Sequence, residues 1–363
     1  MLNFKKVLVT GATGFIGGRL VEKLILDHKV EVRALVRNFS KAARIARFDL
    51  EMIGGEVSDA QAVDRAVAGC DVVFHCAHDF SGRQGNLDGA GAIAEACLKH
   101  QVRRLVHTSS ISVYEPLSDG DLDESARREP CGWDYPDTKR AVDELLLEFH
   151  AKRSLPVVFL QPAIVYGPFS NPWTLTPIKQ LRSGRIVLPD AGQGLCNAVY
   201  VDDVVDAMLL AAEREEAVGE SMLVSAETPV TWRQFYAAYE KMLGIEGVVL
   251  VPAEEIRKSA GGKPGKPPSL KTLGKDPLRI TKWGPTRALY EILRSPLVER
   301  YWMKMRRRLP QLMYLPNEQQ LALYGAQARV KIDKAKRLLG YQPKFDFDRG
   351  MKLTKQYVQW ANL

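Results

Sequence analysis

Tyr135 and Lys139, in Tyr135-Pro-Asp-Thr-Lys139, stand four positions apart in a chain of 363 residues. On a helix that spacing places both side chains on one face, so the ammonium lies near the phenol. A neighbouring cation favours phenolate, lowers the phenol pKa towards working pH and makes Tyr135 a usable general acid or base. The pair alone arises by chance in many chains. Here Ser110 precedes it, at the expected strand end in His107-Thr-Ser-Ser-Ile-Ser-Val-Tyr114, where its hydroxyl can hydrogen-bond a reacting oxygen. Ser110, Tyr135 and Lys139 are therefore the expected catalytic set, suited to moving a proton on and off an alcohol or ketone oxygen.

Such chemistry needs a hydride carrier, and the N-terminus offers a place for one. Thr10-Gly-Ala-Thr-Gly-Phe-Ile-Gly17 follows the apolar strand Lys6–Thr10 and opens a helical pattern, GRLVEKLIL. Glycines there permit a tight turn and close backbone approach to a pyrophosphate seated on the free N–H groups of a helix N-terminus. Gly11, Thr13, Gly14, Phe15, Ile16 and Gly17 are the expected cradle. The end of the second strand, Val30–Val36, chooses between cofactors. An acid there binds the adenosine ribose 2′-hydroxyl, but this chain has Arg37, followed by Lys41 and Arg44. A cation suits a 2′-phosphate through charge-assisted hydrogen bonds. NADP is favoured, with NAD as the alternative if these are surface cations on a loop.

The positioning elements alternate. Helical stretches at Ala60–Ala68, Ala90–Lys99 and Lys139–His150 interleave with short apolar strands at Val72–His75, Arg104–Thr108 and Val157–Leu160. That rhythm predicts an α/β fold, a doubly wound parallel sheet (Rossmann fold) with helices on both faces. After Pro168 the texture changes: Pro172, Pro177 and Pro189, with Gly184, Gly192 and Gly194, interrupt any long element. Ala198–Val205 re-enters a strand-to-helix pattern, followed by a helix over Val205–Arg214. The division expected is 1–167 as the NAD(P)-binding domain, with 198–225 returning to it, and 168–197 plus 226–363 as a smaller C-terminal substrate domain.

Composition bounds the rest. A hydrophobic fraction of 46% and a charged fraction of 26% are those of an ordinary soluble globular protein. No stretch approaches the ~20 apolar residues of a membrane span, and no secretory signal is expected. Cys70, Cys76, Cys97, Cys131 and Cys196 form no metal-spaced cluster, so no metal is expected, and an odd set of scattered thiols fits a reducing cytoplasm. The net charge of +8 is concentrated: residues 257–308 hold fifteen lysines and arginines against Asp276, Glu291 and Glu299. The remainder is mildly acidic, so no nucleic-acid partner is expected. Within the insertion, Leu289, Ile292 and Leu293 oppose Arg287, Glu291 and Arg294, and Val298, Tyr301, Trp302 and Met305 begin a second stripe after Pro296. Two readings stay open: a substrate-domain insertion with a solvated basic face, or a peripheral membrane contact through 286–308 at the inner face of a membrane.

Taken together, these motifs resemble the extended short-chain dehydrogenase/reductase superfamily, NAD-dependent epimerase/dehydratase family, over about 1–250 and 328–363. Gly55-Glu56-Val57 resembles the family's adenine contact, and Asp71-Val-Val-Phe-His-Cys76-Ala77 the strand running under the cofactor. Asn86-Leu-Asp-Gly89 resembles the start of the next long helix, and Gln161-Pro162-Ala-Ile164-Val-Tyr-Gly-Pro168 the strand flanking the nicotinamide. Tyr200-Val-Asp-Asp-Val204 and Lys334–Pro343 resemble late family segments. The resemblance implies that Glu56, Val57, Cys76, Ala77, Pro162 and Ile164 line the cofactor, that Tyr135 and Lys139 also contact it, Lys139 at the nicotinamide ribose, and that the protein is a homodimer.

The departures from the family pattern are informative. Ile111-Ser112 stand where dehydratases carry an Asp-Glu pair. Cys196 replaces the arginine that binds a nucleotide-sugar diphosphate, Gln161 another arginine, and the later Arg-Pro-Gly-Asp stretch is missing. The expected activity is an NADP(H)-dependent oxidoreductase interconverting a secondary alcohol and a ketone on a small, lipid-like substrate. The alternative is a nucleotide-sugar epimerase or 4-keto-sugar reductase. A non-catalytic NADP-binding regulator is a third class, disfavoured by the intact Ser-Tyr-Lys set.

Overall fold

Strands apolar on both faces must be covered on both sides, and the computed structural model, which describes residues 2–260 and 312–363, shows how. Seven strands, β1 (Lys6–Thr10), β2 (Glu31–Val36), β3 (Glu51–Gly54), β4 (Val72–His75), β5 (Arg104–Thr108), β6 (Val157–Pro162) and β7 (Ser221–Val224), form one parallel sheet. Their spatial order is β7-β6-β5-β4-β1-β2-β3. Alternate residues of β1 face opposite ways. Val7 and Val9 join a core with Leu20, Leu24, Val204 and Met208; Leu8 joins another with Val63, Ile93 and Leu146. Helices α1 (Phe15–Leu26), α2 (Ala60–Val67), α3 (Arg83–Lys99) and α4 (Asp134–Arg153) supply these layers, with α5 (Thr176–Ser183), α6 (Val201–Glu213) and α7 (Trp232–Leu243) following. The strand order reverses between β1 and β4, and crevices for ligands open at the carboxyl ends of strands at such a reversal.

Several boundaries differ from expectation. Helix α4 begins at Asp134 rather than Lys139, because Pro136 sits in the first turn, where its missing N–H leaves no bond unmade. Helix α3 begins at Arg83 rather than Ala90, with the Asn86 amide donating to the Asp79 and Gly82 carbonyls at 2.6 and 2.8 Å. Helix α6 starts at Val201, and the strand before it, Ala198–Tyr200, pairs in parallel with Ile164–Tyr166 outside the main sheet. The stretch after Pro168, read as interrupted, contains regular structure: Gly184–Pro189 is the central strand of a three-stranded parallel sheet with Val248–Val251 and Leu312–Tyr314. Its prolines and glycines terminate elements instead of breaking them. Pro177 lies in the first turn of α5, and Gly184 is required because a Cβ there would sit 2.1 Å from the Leu312 carbonyl oxygen.

Residues 198–225 join the sheet through β7 and grip α1 through α6. Arg19 makes paired bonds to Asp202 at 2.6 and 2.8 Å, and Lys23 pairs with Asp206. Asp203, buried, accepts backbone N–H bonds from Lys344 and Phe345 at 2.7 and 3.1 Å. Burial raises its carboxyl pKa to about 6 against the pull of those two donors. Among the described residues no helix is long and apolar enough to cross a membrane. The amphipathic stripes expected at 287–308 lie outside the described residues.

Candidate active site

The glycine turn after β1 is tighter than any side chain allows. Gly11 has φ +67°, and a Cβ on it would lie 2.7 Å from the Cys76 carbonyl carbon and 2.8 Å from the Ala77 nitrogen; one on Gly17 would lie 2.4 Å from the Gly11 oxygen. Helix α1, the turn and the end of β4 thus approach backbone to backbone. Gly14 is the N-cap of α1 and offers no side-chain cap, and no acid stands in the first turn. The first N–H groups of α1 therefore remain for an outside acceptor, which fits the pyrophosphate of a dinucleotide. Thr13 is half-buried beside them. Below, Thr10 Oγ1 lies 2.8 Å from His75 Nδ1 and accepts from the Ala77 N–H at 3.3 Å, tying β1 to β4.

Three cations follow β2, and they are not alike. Arg37 is exposed, its guanidinium 3.4 Å from Asp79, a surface pair that leaves it available. Lys41 is exposed on the turn Phe39–Arg44. Arg44, expected to join them, is committed elsewhere. It makes two 2.9 Å bonds to Glu22 of α1 and lies 4.2 Å from the Phe169 ring centroid. Glu56 is exposed beyond β3, and Val57 packs under Gly89, where a Cβ would meet Val57 Cγ2 at 3.0 Å.

A cleft of about 650 Å³ runs from this turn, with Phe15, Ile16, Cys76, Ser110, Tyr135, Lys139, Pro162 and Ile164 all on its wall. Gly11, Thr13, Gly14, Gly17, Arg37, Lys41, Glu56, Val57 and Ala77 are not on that wall; Gly17 lies in the first turn of α1, Lys41 in the helical turn Phe39–Arg44, and the others on the loops after β1 to β4. Lys139 is buried and donates from Nζ to the Thr108 carbonyl at 2.8 Å. Burial lowers its pKa to about 8, opposed by the Asp143 carboxylate and Cys76. Tyr135 keeps 37% of its surface exposed to the cleft, while its hydroxyl end is enclosed. Its ring meets His78 edge-on at 5.0 Å and runs nearly parallel to Phe80 at 6.5 Å.

The expected lowering of the Tyr135 pKa is reversed in the cofactor-free protein. Burial raises it, the nearby Ser110 hydroxyl opposes that rise, and Glu115 and Asp143 add to it. The ammonium meant to lower it is drawn to the Thr108 carbonyl instead. Ser110 Oγ meanwhile accepts from the Ser112 N–H at 3.1 Å, which fixes the hydroxyl at the cleft wall.

Beyond Ser110, Tyr135 and Lys139 the wall carries the aromatic and aliphatic Phe80, Ile111, Pro172, Trp173, Leu323 and Tyr324, interspersed with uncharged polar residues such as Asn171, Gln180, Asn317 and Gln320. Among the described residues lining the cleft, Lys139 is the only lysine or arginine. Burial also drives His78 down to about 4, which leaves it neutral. Among the described residues lining the cleft, the one acid is Glu115, and it is buried. Glu115 accepts from Gln319 Nε2 at 2.8 Å and is raised by burial. Sequence reading missed these residues. Phe80, 86% exposed beside the site, was the one with a local signal, an aromatic in a polar loop. Gln319, Leu323 and Tyr324 arrive from two hundred residues downstream and had none.

The profile of the NAD dependent epimerase/dehydratase family matches residues 7–225. Over nearly its whole length the chain is similar to 4-hydroxy-2-methyl-3-oxo-4-farnesyl-3,4-dihydroquinoline-1-oxide ketoreductase of Stigmatella aurantiaca: 27% identical over 368 residues, covering 97% of this chain and 96% of that one. The 2-alkyl-3-oxoalkanoate reductase of Stenotrophomonas maltophilia is 30% identical over 246 residues, 63% of this chain and 73% of the relative. UDP-glucose 4-epimerase of Thermotoga maritima superposes with a TM-score of 0.70 at 20% identity, over 99% of this chain and all of that one, which is a likeness of fold.

Proposed function

The chain belongs to the NAD dependent epimerase/dehydratase family and is an NAD(P)-dependent enzyme of the extended short-chain dehydrogenase/reductase type, and we propose that it is an NADP(H)-dependent ketoreductase acting on an apolar, lipid-like ketone. The observation carrying this reading is the cleft itself. A nucleotide sugar brings a diphosphate, which is held by arginines or lysines. Among the described residues the cleft offers Lys139 alone, with aromatic and aliphatic walls opposite it. Two relatives whose names describe reduction of oxo compounds point the same way.

The bound dinucleotide would supply the hydride. Its pyrophosphate would rest on the Gly11–Gly17 turn and the open N-terminus of α1, with Arg37 and Lys41 favouring a 2′-phosphate. Tyr135 gives its phenolic proton to the developing alkoxide, Ser110 donates a hydrogen bond to the same oxygen, and Lys139 holds the ribose and keeps positive charge beneath the phenol. The raised phenol pKa of the empty site keeps Tyr135 protonated, the form a reduction needs.

Tyr135→Phe tests this. With NADPH and a panel of 2-alkyl-3-oxoalkanoates and aryl ketones, turnover should fall by about 10²-fold or more while NADPH affinity stays unchanged. Activity within a few-fold of wild type would overturn the assignment. Interconversion of UDP-sugars without net NADPH consumption would replace it with the epimerase reading.

A further inference from the structure

Tyr135 and Lys139 are the first two members of a ladder on α4, and Asp143 is the third, one further turn along the same face. Asp143 is 1% exposed. Its Oδ2 accepts from Ser109 Oγ at 2.7 Å, while its Oδ1 has no hydrogen-bond partner among the described residues and lies 3.4 Å from His107 Nε2. Lys139 binds the carbonyl of Thr108, the residue just before Ser109. Ammonium and carboxylate are thus moored one residue apart at the end of β5, inside the protein, one and two helical turns along α4 from Tyr135. A buried carboxylate with half its bonding capacity unused is destabilising unless a cation offsets it.

The other groups around Lys139 do not supply that negative charge. His75 and His107, whose rings lie 5.3 Å apart, are kept neutral by burial, as is His78. The Cys76 thiol is pushed up to about 11 and Tyr135 is raised, so both stay protonated near neutrality. Glu115 acts on Tyr135 and is held by Gln319. Among the described residues no lysine or arginine makes a hydrogen bond or a close ion pair with Asp143; Lys139, one helical turn away on the same face, acts on it through space.

We propose that Asp143 is a positioning residue, the counter-ion that keeps the Lys139 ammonium charged and seated at the Thr108 carbonyl beneath Tyr135. Its catalytic meaning rests on the reductase reading; the charge coupling between Asp143 and Lys139 does not. Even with Asp143 present, burial leaves Lys139 titrating at about 8. Removing an anion lowers the pKa of a neighbouring ammonium, so without Asp143 the lysine would discharge within the physiological range and leave the site without its one cleft-lining cation among the described residues.

Lys139, though buried, lines the cleft, so a small reagent that enters the cleft meets it. Trace labelling of the full-length, cofactor-free protein with acetic anhydride from pH 5.5 to 10, read by mass spectrometry of the Lys139 peptide, gives its titration directly. The wild-type midpoint should fall near 8, drop by about one to three pH units in Asp143→Asn, and return towards wild type in Asp143→Glu. In the ketoreductase assay the alkaline limb of the kcat profile should move by the same amount. An unchanged labelling midpoint in Asp143→Asn overturns the proposal. If that variant is too unstable to label, the Asp143→Asn, Lys139→Met double variant decides: losses in melting temperature well short of additive support the pair, and additive losses refute it. A shifted midpoint alongside an active Tyr135→Phe variant would keep the counter-ion and remove the reductase reading.

Discussion

Gly17→Ala tests whether the backbone contact at the start of α1 serves the cofactor. The added methyl would lie 2.4 Å from the Gly11 oxygen, 2.8 Å from its carbonyl carbon and 3.2 Å from the Ala12 nitrogen. Ordinary contact begins near 3.4 Å, so helix and turn must separate by about 1 Å. Gly11 has little room to yield, since it is itself pressed against the backbone of Cys76 and Ala77. Overpacking of this kind costs ~1–3 kcal/mol. In a chain of this size each kcal/mol corresponds to roughly 1–2 °C, so the melting temperature should fall by about 1–5 °C. Because the separated atoms are those proposed to cradle a pyrophosphate, NADPH affinity should fall by a similar free energy, about 5- to 150-fold in Kd. Fluorescence titration with NADPH and thermal melting of the same preparation measure both. Gly91→Ala is the matched control: it lies in α3 where a Cβ meets nothing within 4 Å, and it should melt unchanged or slightly higher with unaltered NADPH binding. If Gly17→Ala binds NADPH within twofold of wild type, the turn does not hold the dinucleotide and the cofactor placement is wrong.

Arg37→Asp should move cofactor preference from NADPH towards NADH by tenfold or more (roughly 1.5–3 kcal/mol for a lost charge-assisted bond), because the anion repels a 2′-phosphate and can accept from a ribose hydroxyl. Wild type binding both dinucleotides equally would show Arg37 to be a plain surface residue. Asp203 carries a pH prediction. Its folded pKa of about 6 lies above the ordinary aspartate value of 3.8, so its contribution is fully present below the unfolded value and is lost as pH rises through 6. The stability advantage of wild type over Asp203→Asn should therefore be larger at pH 5 than at pH 8 by about 1.4 kcal/mol, because only the one pH unit between 5 and 6 falls inside that interval. An advantage that grows with pH would contradict the assigned sign.

What the sequence determined by itself is what short-range physics determines. Apolar strands alternating with helical stretches dictated a doubly wound parallel sheet, since strands without a polar face need cover on both sides. The Thr10–Gly17 turn was legible because conformational freedom at glycine is a property of single residues and their immediate neighbours. The shared face of Tyr135 and Lys139 follows from helical geometry alone, even though the start of α4 had to be moved back to Asp134. Tertiary structure decided everything that depends on residues distant in the chain. Arg44 is spent on Glu22, twenty-two residues away. Gly184–Pro189 is a strand only because Val248–Val251 and Leu312–Tyr314 supply its partners. The aromatic walls and Gln319 reach the cleft from elements far along the chain. The direction of the Tyr135 shift was likewise out of reach of spacing. An i, i+4 pattern fixes which side chains share a face, but the charge state of a phenol is set by burial and by every group that folding brings around it, here Ser110, Glu115 and Asp143.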